Sequence, residues 1–520
     1  MPVTNPRKIL TVAQMNAVDR ATIDAGIPGI ILMENAAHAV VSYIAERFAP
    51  VSRQKIVIVC GKGNNGGDGL AIARILHARF QPSNVYVVLV ASPVDLAGDA
   101  AANLAMLHGA GLRESYDFTS AMREATLVVD AVLGTGLKGP ATGEALDAIR
   151  AINTQFAHAK VVAVDIPSGL AGDSPNPPGE YVRADVTVTF TAPKICHALP
   201  PARAVMGDLR VAPIGTQASI YEDDASIRLA LITPESIATI FAPRMSDSNK
   251  GRYGHVLIVA GSRGKSGAAA MAGIAALRAG AGLVTVACPE SALSSVAAFS
   301  LELMTEPLPE TASGVISRQA SPRIAALASS MTITAIGPGI GTDDETRDVV
   351  RELYATLGKP LVVDADALNC LAGGDWHSSG APRILTPHPG EMSRLTGLTI
   401  PEVQSDRIAV ARAFATERNV TLVLKGEGTL VAFPDGRVWI NPTGSPAMAT
   451  GGTGDILTGM TAGLSAQFPN DLDRTTAAAV YLHGLAGECA ARHLGEQPVI
   501  ATDLLRYLSE GIRAITNVSH

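Results

Sequence analysis

Short runs of β-branched and aliphatic residues alternate along this chain with longer stretches rich in Ala and Leu. In the first half the apolar runs Lys55–Cys60, Val85–Val90, Leu127–Val132 and Lys160–Ile166 predict buried strands, and Gly69–Phe80 and Gly98–His108 predict the helices between them. Such βαβ alternation implies a parallel sheet covered on both faces, a Rossmann-like three-layer α/β/α domain. The ligand crevice of such a sheet opens at the carboxyl ends of its strands. In the second half, strands are expected at His255–Ala260, Leu283–Cys288, Thr332–Ile336, Pro360–Asp364, Arg383–Leu385 and Thr421–Lys425. Between the halves, from about residue 215 to about 250, the rhythm lapses around Asp223-Asp224, Pro234 and Ser246-Asp247-Ser248-Asn249. Two domains are expected, residues 1–228 and 229–520. The halves do not align as a repeat.

Composition narrows the class. Hydrophobic residues make up 47% of the 520 and aromatics only 4%, so the cores must be built from Ala, Val, Leu and Ile. A formal net charge of −7 supplies no basic field for nucleic acid. The most apolar stretch, Gly267 to Pro289, is interrupted by Arg278, and Asp19 and Asp24 break any signal-peptide core, so no membrane partner is expected. Cys60, Cys196, Cys288, Cys370 and Cys489 are scattered without a CxxC pair, which suggests neither a disulfide framework nor a zinc site. A cytoplasmic protein is expected.

The strand Lys55–Cys60 leads into Gly61-Lys62-Gly63-Asn64-Asn65-Gly66-Gly67-Asp68-Gly69. Glycines there let backbone N–H groups approach an anion, although the spacing is neither GxGxxG nor a Walker A loop. The next strand carries Asp130 and leads to Gly134-Thr135-Gly136-Leu137-Lys138-Gly139-Pro140; another ends in Asp165-Ile166-Pro167-Ser168-Gly169. A lone strand-end carboxylate is often a turn or cap residue. Parallel pairing, however, would gather Asn65, Asp130, Asp165 and Ser168 at one crevice.

GNNGGDG, DAVLGTGLKG, VDIPSGL and the Thr191-Ala192-Pro193-Lys194 that follows resemble, in that order, the NAD(P)H-hydrate epimerase family over roughly residues 8–225. The resemblance implies interconversion of the R and S epimers of hydrated NADH and NADPH. It implies substrate contacts from Asn64, Asn65, Gly66, Gly67 and Asp68, and from Gly134, Thr135, Gly136, Leu137, Lys138, Gly139 and Pro140. It further implies K+ held by Asn65, Asp130 and Ser168, and Asp165 as the acid–base residue at the ring. Oxygen ligands suit a hard cation, but spacing alone does not name potassium. A non-catalytic relative is the competing reading, since the fold also occurs in RNA-processing scaffolds. The polar positions of all three loops are retained here.

In the second half, Gly264-Lys265-Ser266 imitates the end of a Walker A loop, but Val259 stands where its first glycine is needed, so Lys265 is read as a solvated loop residue. Ala449-Thr450-Gly451-Gly452-Thr453-Gly454-Asp455 opens a helix expected over Ile456–Leu464. Glycines there offer free N–H groups and a positive dipole end to phosphate, and Asp455 stands where a base could take a proton from a hydroxyl. Its alternative role is a carboxylate complementing the helix dipole. His388 lies between two prolines after a strand; Lys425 could neutralise phosphate, with Thr429 nearby.

GPGIG (from Gly337), VDADALN (from Val363), TPHPGE (from Thr386), KGEGT (from Lys425) and GGTGD (from Gly451) together resemble the ADP- or ATP-dependent NAD(P)H-hydrate dehydratases, over about residues 229–520. That implies a ribokinase-like α/β domain which phosphorylates the hydrate with ADP or ATP and Mg2+, then expels phosphate. The resemblance implies hydrate contacts from Ala268, Gly339, His388 and Asp455. It implies nucleotide contacts from Lys425, Gly426, Glu427, Gly428, Thr429 and Gly454, with Asp455 as the base. Small-molecule kinases of that fold usually carry GAGD where this chain has GGTGD, so a sugar or vitamin-precursor kinase fused to a nucleotide-binding regulatory domain is the alternative.

Together the resemblances imply one repair enzyme acting on NADHX and NADPHX. The dehydratase accepts the S epimer, and an epimerase on the same chain makes both forms repairable. A homo-oligomer is expected. A nucleotide sensor with inactive sites would instead bind without turnover.

Overall fold

The structure, a computed structural model, describes residues 5–517. They divide into two compact units, one over Arg7–Ile227 and one from Arg228 onward.

In the first unit seven strands pair in the order Glu114–Ser115, Asn84–Leu89, Lys55–Cys60, Leu127–Ala131, Lys160–Val164, Val186–Phe190, Asp208–Ala212. Every neighbouring pair is parallel. Side chains alternate across the sheet, as strand geometry requires. Ile56, Ile58 and Cys60 pack under the helices Gly29–Arg47, Asn64–Phe80 and Gly98–Gly109. Val57 and Val59 join the opposite layer with Ala148, Ile149 and Ile152 of the helix Gly143–Gln155. The chain first builds outward from Lys55–Cys60 on one side, then crosses to Leu127–Ala131 on the other. The glycine loops after those two strands therefore flank the switch point, where α/β sheets open a crevice.

Two expectations shift. The helix after Lys55–Cys60 begins at Asn64 rather than Gly69, because the asparagine-glycine run itself forms the opening turns. A Cβ on Gly66 would stand 1.8 Å from the Gly61 carbonyl oxygen, so this turn can press against the strand end only with glycine there. The strand Val186–Phe190 escapes the apolar pattern because Thr187 and Thr189 alternate with its aliphatic residues; both threonines are buried, and Thr187 Oγ1 donates to the Met206 carbonyl at 2.9 Å.

The second unit has a mixed sheet in the order Leu229–Leu231, Val438–Ile440, Leu430–Ala432, Thr421–Leu424, Arg383–Leu385, Leu361–Val363, Ile333–Ile336, His255–Val259, Leu283–Pro289, Met304–Leu308. From Thr421–Leu424 to Met304–Leu308 the pairing is parallel, and Leu430–Ala432 runs antiparallel to both its neighbours. The switch point lies between His255–Val259 and Ile333–Ile336. One face is covered by the helices Ser266–Arg278, Thr453–Gln467, Leu472–Leu494 and Ala501–Asn517.

Two of these helices almost touch backbone to backbone. A Cβ on Gly459 would meet the Ala272 carbonyl oxygen at 2.0 Å, and one on Gly463 the Ala276 carbonyl oxygen at 2.5 Å. That register, stepped back one turn, sets Asp455 opposite Ala268. The helix carrying Asp455 starts at Thr453, three residues before the expected Ile456.

Among the described residues no single helix is long and apolar enough to cross a membrane. All five cysteines are free and buried.

Candidate active sites

The crevice of the first unit encloses about 980 Å3, with Asn64, Asn65, Asp68, Gly134 to Lys138, Asp165 and Lys194 among its lining residues. Asn65 and Asp165 thus share one cavity as expected, whereas Asp130 and Ser168 do not line it. Gly66, Gly67, Gly139 and Pro140 do not line it; Gly66 and Gly67 pack beneath the loop instead.

Asp165 follows the strand Lys160–Val164 and adopts a left-handed φ of 63°, rare for a residue with a Cβ. Its Oδ1 accepts from Lys194 Nζ at 2.7 Å and from Thr189 Oγ1 at 2.8 Å. Its carbonyl meets His197 Nε2 at 2.9 Å. Burial raises the Asp165 carboxyl, but the Lys194 ammonium and these hydrogen bonds outweigh it and hold the group below its ordinary value. Burial, with the Lys194 charge added, pushes the His197 imidazole down to about 3, so that ring is neutral. Lys194 is only 1% exposed. It was visible in the motif after Thr191, yet its partner was not, because 29 residues separate it from Asp165.

Behind the cavity wall, Asp130 is fully buried. Its Oδ1 accepts from Ser168 Oγ at 2.6 Å and its Oδ2 from the Ser168 N–H at 2.8 Å. Burial pushes its carboxyl up to about 6, against the pull of those bonds. The Leu133 peptide ties the cluster together: its N–H donates to Ser168 Oγ at 2.8 Å, and its carbonyl accepts from Asn65 Nδ2 at 3.1 Å. Asn65 Oδ1 is buried without a hydrogen-bond partner. A buried amide oxygen left unsatisfied is costly, and is the feature expected of a ligand atom.

In the second unit Asp364 is the hub. It ends the strand Leu361–Val363 and is 1% exposed. Lys425 Nζ donates to its Oδ1 at 2.8 Å and Thr458 Oγ1 to its Oδ2 at 2.6 Å. Burial opposes ionisation of Asp364, but Lys425 and these bonds hold it below its ordinary value. Asp364, His388 and Lys425 follow consecutive parallel strands, so the sheet itself gathers them. Lys425 Nζ also lies 3.7 Å from Glu391 Oε2. Burial lifts Glu391 to about 6.

Asp455 stands one turn before Thr458 on the same helix. Burial first, and the Asp364 charge second, push its carboxyl up to about 6 against the pull of Lys425. Gly454 is adjacent: a Cβ there would lie 3.5 Å from Lys425 Nζ. His388 caps the helix Pro389–Thr396, its Nδ1 accepting from the Gly390 N–H at 3.0 Å. The Gly339 loop closes on the start of the helix Ser266–Arg278, where a Cβ would meet that of Ala268 at 3.1 Å. Lys265 is not simply solvated: its Nζ lies 3.4 Å from Asp366 Oδ2, while remaining half exposed. The Lys425 to Thr429 loop is clamped by Arg407, whose guanidinium donates to the carbonyls of Leu424 at 3.1 Å, Lys425 at 3.3 Å and Glu427 at 2.5 Å. Arg407 lies on a helix outside every motif, so nothing in the sequence marked it. A cavity of about 440 Å3 lies at the opposite, amino-terminal edge of this sheet, beside Arg383, Thr421 and Asp471, and holds none of these groups.

Comparison with known proteins matches both halves. A family model described as NAD(P)H-hydrate dehydratase matches residues 256–510, and one described as the YjeF-related protein N-terminus matches residues 29–196. The bifunctional NAD(P)H-hydrate repair enzyme Nnr of Moorella thermoacetica is 43% identical over 519 residues, covering 97% of this chain and 96% of that protein. Its Escherichia coli counterpart is 33% identical over 529 residues, covering 100% and 97%. Among solved structures, the ADP/ATP-dependent NAD(P)H-hydrate dehydratase of Bacillus subtilis, co-crystallised with ATP/Mg2+, is 33% identical, with a TM-score of 0.49 over 55% of this chain and 98% of that one.

Proposed function

The chain belongs to the bifunctional NAD(P)H-hydrate repair enzymes, an epimerase joined to an ADP- or ATP-dependent dehydratase, and from that premise we propose how its residues divide the work. The observation that supports the division is that each unit gathers its own charged cluster: Asp165 with Lys194, and Asp455 with Asp364 and Lys425.

In the first unit the cavity takes the hydrated NADH or NADPH. The loop residues that line the cavity, Asn64, Asn65 and Gly134 to Lys138, present backbone N–H groups to its phosphates. Asp165, kept ionised by Lys194, serves the hydrated ring as a proton acceptor. Asn65, Asp130 and Ser168 fit K+, because Asn65 Oδ1 is an unsatisfied buried oxygen beside a buried carboxylate and hydroxyl. Bound there, K+ supplies fixed positive charge next to the substrate phosphates.

In the second unit Ala268, Gly339, His388 and Asp455 face the hydrate. Lys425 to Thr429 and Gly454 hold ADP or ATP, which carries Mg2+. Asp455 takes the proton from the ring hydroxyl as the hydroxyl oxygen attacks the terminal phosphorus and AMP or ADP leaves. The phosphorylated oxygen then leaves as phosphate, and a ring proton is lost to restore the dihydronicotinamide. Lys425 neutralises phosphate charge, while Asp364 and Thr458 fix its position.

Two substitutions separate the halves. Asp455→Asn should lower dehydration by about 10²- to 10⁴-fold and leave epimer exchange unchanged. Asp165→Asn should do the reverse. If Asp455→Asn retains full dehydration, the base is another group.

A further inference from the structure

One wall of the first unit's cavity comes from the helix Val12–Asp24, which lies ahead of the matched family segment at residues 29–196. Val12, Met15, Asn16, Asp19 and Ile23 all line the cavity. Their spacing places them along one helical face. That face is apolar except for Asn16 and Asp19. The helix is held firmly at its start by a capping box between Thr11 and Gln14, and by Asp173 Oδ1 accepting from the Val12 N–H at 2.7 Å. Asp19 is therefore presented by a fixed element rather than a loose arm.

Asp19 Oδ1 is buried and has no hydrogen-bond partner, although the residue as a whole borders the cavity. A carboxylate is rarely left so unless it carries a proton or awaits a ligand. The charged groups acting on it are Lys194 and Asp165 from the sheet side, and Asp68 from the helix Asn64–Phe80. Burial dominates and lifts Asp19 to about 6, with Asp165 adding to it and Lys194 opposing. Asp68 is raised too, first by burial and then by Asp165 and Asp19. Asp165 is held in the other direction. One cavity thus contains a carboxylate held in its ionised form and an unpartnered carboxyl that keeps its proton to higher pH than an ordinary aspartate, the division of labour that acid–base chemistry needs.

We propose that Asp19 is the proton donor of the epimerase site, acting on the hydroxyl that leaves the hydrated ring while Asp165 receives the proton of the water that returns. This rests on the epimerase reading of the first unit. The hydroxyl sits on the ring carbon beside nitrogen. The nitrogen lone pair becomes a C=N bond as the C–O bond breaks, and the leaving oxygen takes the Asp19 proton and departs as water. A second water attacks the opposite face, its lone pair forming the new C–O bond as the C=N pair returns to nitrogen. Its surplus proton goes to Asp165. Exchange with solvent resets both carboxyls, so the net change is inversion alone.

The test uses the full chain without nucleotide, following R and S forms by chromatography from about pH 5 to about pH 8, with uncatalysed exchange subtracted. A donor with a pKa near 6 loses its proton above that pH, so wild-type kcat should fall as pH rises through about 6. Asp19→Asn should lower kcat by about 10²-fold or more with KM for the hydrate little changed, and abolish that falling limb. Asp19→Glu should restore part of the rate and the limb. A merely structural Asp19 would alter KM without removing the limb. Full activity or an unchanged limb in Asp19→Asn overturns the proposal and passes the role to Asp68. Failure of the wild-type chain to exchange epimers above the uncatalysed rate would instead overturn the epimerase reading itself.

Discussion

Both units bury a lysine against an aspartate at a strand end, and the two aspartates end in different places. Asp165 borders its cavity, while Asp364 is sealed off at 1% exposure. On the proposed division Lys194 therefore charges a carboxylate that meets substrate, whereas the Asp364 carboxylate aims the lysine itself. In the second unit the carboxyl proposed to react is a separate one, Asp455, lifted to about 6 by burial and by the sealed charge beside it. The same ion pair thus tunes a base in one case and a phosphate-binding cation in the other. In the first unit both members of the pair line the cavity, whereas in the second the aspartate is sealed and only the lysine is partly open.

The largest expected effect breaks the first pair. Lys194→Met leaves Asp165 buried without its counter-charge, a loss of about 3–5 kcal/mol in similar cases. Epimerisation should fall by about 10²-fold or more and the first unit should melt earlier, while dehydration stays intact. Unchanged epimerisation would show that Asp165 does not depend on the pair. A steady-state rate and a thermal melt on the same sample suffice.

Next in size is the pH dependence of dehydration. In the proposed role of base only the ionised form of Asp455 works, and the ionised fraction drops about tenfold per pH unit below about 6. Dehydration should therefore rise with pH through about 6, opposite in sign to the limb expected for Asp19. Parallel limbs for the two activities would remove the distinction between acid and base carboxyls. The smallest effect concerns the cation. Replacing K+ by Na+ should slow epimer exchange a few-fold and leave dehydration unchanged, since the unsatisfied Asn65 oxygen belongs to the first unit alone. Equal rates in both salts would remove K+ from the account.

Much of this was legible in the chain. The βαβ rhythm marked both sheets, and glycine loops after strands marked both switch points. Singly, Asp165 could have been a turn or cap residue and Asp455 a helix-dipole complement; the convergence of loops and the family resemblance marked them. Harder to read was anything that depends on long-range pairing. Asp364 showed as one of two aspartates, not as the partner of a lysine 61 residues away. Arg407 works through backbone carbonyls and carries no motif. In the sequence Asp19 reads only as a charge that interrupts an apolar run, and only the folded cavity shows that its oxygen is enclosed. The strand Val186–Phe190 was hidden because its threonines read as exposed while they are buried.

The most direct test of two complementary sites on one chain is a reduced-nicotinamide absorbance trace. It starts from a mixture of R and S hydrates with K+, Mg2+ and ADP or ATP, beside an enzyme-free control for spontaneous exchange. Complete recovery of NADH or NADPH, dependent on the added nucleotide, is the expected result. Recovery that stops when the S form is exhausted would contradict an active first site, and no recovery with either nucleotide would contradict the second.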